Sequence, residues 1–129
     1  MKLDEYMDSR REKPFDWHRN NCGHFVAGWV EKMEGKTVEL PETLKAQARL
    51  KARDGGVPAA VTRALNRQPL DEESFAQTGD VAAVLLPGKR GDRYSLGIVS
   101  GHRVILLSPE GGFVFAGTQF VTRAWPVGR

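Results

Sequence analysis

The residues best suited to chemistry lie close together between Trp17 and Val30. This stretch contains Cys22, the only cysteine of the chain, and two of its three histidines, His18 and His24. A thiol can serve as a nucleophile once it is deprotonated, and a neighbouring imidazole is the usual base for that step. The stretch therefore indicates cysteine chemistry at Cys22, provided that the fold brings a base within reach.

The spacing around Cys22 predicts a helix from about Cys22 to Glu34. Asn20 or Asn21 is suited to the N-cap, and Gly35 to the helix end. Apolar residues recur every three or four positions and form one stripe: Cys22, Phe25, Val26, Trp29, Val30 and Met33. Two interpretations of Cys22 stay open. It is either the first residue of a buried stripe, or a thiol activated by the N–H groups of the first helical turn.

The remaining pattern predicts helices first and strands second. Residues 3–12 suit a short helix, Pro41 to about Arg53 a further one, and Ala59 to Asn66 another. After Gly79 the pattern changes to β-forming runs separated by turns at residues 87–92, 101–102 and 109–111. The predicted strands are Val81–Leu86, Tyr94–Ser100, Arg103–Leu107, Gly112–Phe115 and Thr118–Trp125. This segregation predicts an α+β domain in which the helices pack on a C-terminal antiparallel meander sheet.

Composition restricts the class of protein. A chain of 129 residues with 40% hydrophobic and 27% charged residues is typical of one globular domain, here residues 1–129. No apolar run approaches the roughly 20 residues of a membrane helix, and the charged N-terminus does not resemble a signal peptide. No Cys/His cluster has metal-binding spacing, so we expect neither a metal site nor a cofactor. Synthesis and residence in a bacterial cytoplasm is the expectation.

Three short motifs carry a resemblance to a known family. They are Asn21-Cys22-Gly23-His24-Phe25-Val26, Gly79-Asp80-Val81-Ala82-Ala83-Val84 and Leu96-Gly97-Ile98-Val99-Ser100-Gly101. In this order they resemble the NlpC-type cysteine peptidases, compact papain-like domains that cut the peptide stems of peptidoglycan.

The chain is more closely similar to a small branch of that family carried by tailed phages and prophages. Trp17, Trp29-Val30, Gly55-Gly56 and Ala124-Trp125 match features of that branch. The resemblance implies a papain-like fold and a setting in a phage tail.

The resemblance assigns roles to individual positions. Cys22 falls on the family's nucleophile. The family's general base is a histidine at the start of the second strand, and here that position is Ser95. A serine hydroxyl has no basic form at neutral pH. The residue that orients the base is expected early in the next strand, where residues 104–107 are all apolar. The resemblance thus predicts a degenerate site.

The three histidines offer few substitutes for the missing base. Side chains two positions apart on a helix do not face each other, so His24 does not face Cys22. His102 lies seven residues of strand from position 95, or roughly 20 Å. His18, in the loop before the helix, is the best candidate for an unorthodox base, although an exposed loop histidine is the alternative explanation.

Three hypotheses for the function follow. The first is a structural or assembly component of a phage or prophage tail, with other tail proteins as partners. It would be made in the bacterial cytoplasm and then built into the virion. The second is an active endopeptidase or amidase that acts on peptidoglycan through Cys22. The third is a nucleic-acid-binding module, suggested by the net charge of +3 and the basic middle of the chain. It is the weakest, because no recognised binding motif is present. For contacts with other chains, we expect Trp125 to be an anchor.

Overall fold

The structure is a computed structural model. It describes residues 2–11, 13–14, 16, 21–39, 56–71, 75–87, 93–108 and 110–128. The helices are α1 (Lys2–Arg10), α2 (Cys22–Glu34) and α3 (Gly56–Leu65). The strands are β1 (Val81–Leu86), β2 (Arg93–Ser100), β3 (Arg103–Leu107), β4 (Phe113–Gly117) and β5 (Val121–Trp125). Within these residues the fold is α+β, as predicted.

Helix α2 has the predicted bounds, and both of its ends follow from local chemistry. The side chain of Asn21 caps the first turn, and Gly35 ends the helix in the left-handed conformation at φ 71°. The predicted stripe is buried except for Met33, which is partly buried against the same core. Of the two other predicted helices in the first half of the chain, α1 is confirmed from Lys2 to Arg10, and the helix from Pro41 to Arg53 lies outside the described residues.

Helix α1 packs on α2 through an aromatic contact. The Tyr6 hydroxyl donates a hydrogen bond of 2.5 Å to the carbonyl of Phe25, and the two rings stack at 5.6 Å. Gly28 permits this approach, because a Cβ there would lie 2.5 Å from the Tyr6 hydroxyl. Burial raises the pKa of Tyr6 to about 12. The hydroxyl therefore stays a donor across the physiological range.

The sheet has the strand order β4-β3-β2-β1-β5, and every neighbouring pair is antiparallel. Strands β1 to β4 form the predicted meander. Strand β5 instead crosses to the opposite edge of the sheet and pairs with β1, so that Trp125 lies beside Val81.

Three of the five strands differ at their ends from the predicted ones. The second begins at Arg93, one residue before the predicted Tyr94, and the fourth ends two residues after the predicted Phe115. The fourth strand runs from Phe113 to Gly117 and not from Gly112, which has a φ of 70° that suits a turn. The last strand begins at Val121, because Thr118–Phe120 form a 3₁₀ turn. That turn changes the direction of the chain between β4 at one edge and β5 at the other.

The core lies on both faces of the sheet. On one face, α1, α2 and α3 pack against side chains that include Val81, Leu96, Ile98 and Trp125. On the other face, Val84, Val99 and Leu106 belong to a smaller cluster, against which Leu70, Ala76 and Phe120 pack.

The expectation that Trp125 anchors another chain is wrong. Its side chain is fully buried in the core, and its Nε1 donates a hydrogen bond of 3.0 Å to Thr62 Oγ1 on α3. The cause is the crossing of β5 to the edge of β1, which turns Trp125 inward against α3.

Candidate active site

The N-cap of α2 positions Cys22. The backbone N–H of His24 donates to Asn21 Oδ1 at 3.1 Å, and the backbone N–H of Asn21 lies 3.3 Å from His24 Nδ1. This is a reciprocal capping box in which a histidine takes the place usually held by Glu or Gln. Asn21 is fully buried, so the cap also fixes the helix start within the fold. Cys22 is therefore the first residue of a well-defined helix.

The Cys22 thiol lies at the junction of α2 and β2. It is buried, with 5% of the residue exposed. Burial raises the pKa of the thiol. Hydrogen bonds from the backbone of Leu96, the hydroxyl of Ser95 and the backbone of Cys22 and Gly23 lower it, but burial outweighs them. The thiol therefore remains protonated at neutral pH.

Ser95 is in direct contact with the candidate nucleophile. It lies near the start of β2, pairs with Val84 of β1, and its hydroxyl hydrogen-bonds the Cys22 thiol. A hydroxyl can donate to sulfur and so favour the thiolate slightly, but it cannot remove the thiol proton and hold it as an imidazolium does. The side chain beside the thiol on β2 is thus a donor and not a base.

The next strand supplies no polar partner. Val104, Ile105, Leu106 and Leu107 of β3 are all buried and apolar. Ile105 and Leu107 belong to the same core cluster as Cys22. Residues 104–107 of β3 therefore contain no group that could orient a base near the thiol, and Arg103, at the start of the strand, lies over the Phe115 ring.

The histidines occupy three different places in the chain. His24 is engaged in the cap, where its Nδ1 also lies 2.9 Å from Asn21 Oδ1. His102 is exposed in the turn between β2 and β3, at the end of β2 opposite to Ser95. His18, the candidate for an unorthodox base, lies outside the described residues.

The Gly79-Asp80 pair holds the start of β1 in place beneath α2. Trp29 Nε1 donates a hydrogen bond of 2.6 Å to the carbonyl of Gly79, which has a φ of 100°. The carboxylate of Asp80 is buried and accepts the N–H groups of Gln77 and Val127. These contacts show that Gly79 and Asp80 stabilise the fold at the start of β1.

One contributor to the site could not be found from side-chain patterns. The backbone of Leu96 hydrogen-bonds the thiol, and only the packing of α2 on β2 brings it there. The residue type at position 96 carries no signal for this contact, because every residue except proline has a backbone N–H.

A separate groove opens on the other face of the sheet. It has a volume of about 1080 Å³, and its lining includes Phe75, Val99, His102 and Arg123 but neither Cys22 nor Ser95. Over the described ranges, no group of three or more His, Cys, Asp or Glu side chains could hold a metal ion. In the same residues, no helix combines the length and apolar character needed to cross a membrane.

The fold and the site define an α+β domain with a buried cysteine at the start of a helix that packs on an antiparallel sheet. Residues 1–127 match the model of a family described as a domain of unknown function, DUF6950. The chain belongs to this family. No curated protein matches the sequence.

Proposed function

We propose that this chain is a papain-like, NlpC-type domain that retains the nucleophile position without a working hydrolytic site, and that it serves as a structural or assembly component of a phage or prophage tail. Two features support the papain-like assignment. Cys22 begins the helix that packs on the antiparallel sheet, and Ser95, which stands at the family's base position, is in contact with the thiol.

The observation that carries the proposal is the environment of the thiol. Cys22 is buried, its pKa is raised, and its side-chain partner on β2 is a hydroxyl. Cysteine hydrolases need a thiolate, a base within hydrogen-bonding distance and a group that orients the base. Loss of general-base catalysis alone costs about 10²- to 10⁴-fold in rate. The described residues provide only the first of the three groups, in its unreactive form.

The tail setting rests on the resemblance of the chain to the phage-borne branch. A domain without a working hydrolytic site acts through its surface and its stability. Under this proposal, the partners of the chain are other proteins of the particle. The Cys22 side chain then contributes to packing as a small apolar group.

Hydrolysis assays test the catalytic part of this proposal. Purified wild-type protein and Cys22→Ala are incubated with purified peptidoglycan, and released peptides are measured by mass spectrometry, with an active NlpC-type peptidase as the positive control. We expect no release above background from either protein. Release by the wild type that Cys22→Ala abolishes would refute the scaffold function.

Particle analysis tests the tail setting. We expect the chain to be present in purified tails and Cys22→Ala to support normal assembly. Absence of the wild-type chain from intact particles contradicts the tail assignment, whatever the hydrolysis assay shows.

An active peptidase is the second candidate, and one observation favours it. The backbone groups of Cys22, Gly23 and Leu96 all hydrogen-bond the sulfur in the direction that stabilises negative charge. Such donors also suit the oxyanion of an acyl-transfer reaction. This candidate requires His18 as the base. If hydrolysis is observed, His18→Ala should abolish it, while His102→Ala, in the distant turn, should leave it unchanged.

A further inference from the structure

We draw no further inference here: the strongest candidate, the groove on the face of the sheet away from Cys22, is lined by the oppositely charged Asp71 and Arg123, and residues 72–74, which join its lining residues Asp71 and Phe75 in the sequence, lie outside the described residues, so nothing in the structure shows what covers it.

Discussion

At the scale of single residues, the state of Cys22 is decided by competition between burial and hydrogen bonding. The helix N-terminus and the Ser95 hydroxyl favour the thiolate, but burial favours the neutral thiol more strongly. The first-turn position therefore does not make the cysteine reactive. Within the described residues, no cation is among the groups that shift the pKa of the thiol.

Placing an imidazole at position 95 tests this explanation. In Ser95→His, an imidazolium beside the sulfur should lower the pKa of Cys22, because an opposite charge at close range shifts a pKa by about 1–3 units. The rate of Cys22 alkylation at pH 6–7 should then rise about 10-fold or more over the wild type.

The matched control is Ser100→His at the other end of β2, which should leave the alkylation rate unchanged. Equal rates for wild type and Ser95→His, in proteins shown to be folded, would mean that position 95 does not control the thiol.

At the scale of elements, α2 is attached to the sheet by Trp29. Its indole is 2% exposed, contacts the Tyr6 ring, and donates its N–H to Gly79 at the entry to β1. One side chain thus joins α1, α2 and the start of the sheet. Much of the stability of this arrangement should depend on it.

We expect Trp29→Ala to lower the free energy of unfolding by about 3–5 kcal/mol, because it removes a large buried ring. Trp29→Phe keeps most of the apolar volume but leaves the Gly79 carbonyl without its donor, and should cost about 1–3 kcal/mol. Urea unfolding measures both. Phe75→Ala, at an exposed aromatic, should change stability by less than about 0.5 kcal/mol. Equal losses for the Trp29 and Phe75 variants would contradict this role.

At the scale of the whole molecule, an ion pair ties together segments that are distant in the sequence. Arg67, just after α3, makes a bidentate contact with Glu34 at the end of α2, and its Nη1 also donates to the carbonyl of Pro126. The N–H of Gly128 donates to the same Glu34 carboxylate. The ends of two helices and the segment after β5 therefore meet at one carboxylate.

This contact should make stability depend on pH. The hydrogen bonds from Arg67 lower the pKa of Glu34 to about 2. A lowered carboxyl pKa contributes stability that is complete above the unfolded-state value near 4.5 and is lost as pH falls through about 2. Solvent screens this partly exposed contact, so we expect its contribution at neutral pH to be about 1–2 kcal/mol.

Glu34→Gln should therefore destabilise the protein at pH 7 and differ much less from the wild type near pH 2. Urea unfolding at both pH values measures the change. Glu39→Gln, at an exposed position, is the control and should behave like the wild type at both. A Glu34→Gln variant equally destabilised at pH 7 and pH 2 would show that the loss comes from shape and not from charge.

Features that depend on neighbours in the sequence were predictable. The bounds of α2 follow from Asn21, the apolar stripe and Gly35, and the hairpin between β2 and β3 follows from Gly101-His102 between two β-forming runs. Caps, turns and periodicity act over a few residues, so their chemistry is visible in the residue types alone. The α+β class follows from the order of these segments.

Features that depend on distant contacts required the tertiary structure. Only the packing of β5 on β1 buries Trp125 and makes β5, which Leu70 covers, an edge strand of the sheet. The raised pKa of Cys22 likewise depends on how completely α2 and β2 exclude water from the sulfur. By itself the sequence determined which residues could form each element and where the thiol lies on its helix. Burial, strand order and the partners of the thiol were decided by the tertiary structure, because they arise from contacts between segments whose separation along the chain leaves no local pattern.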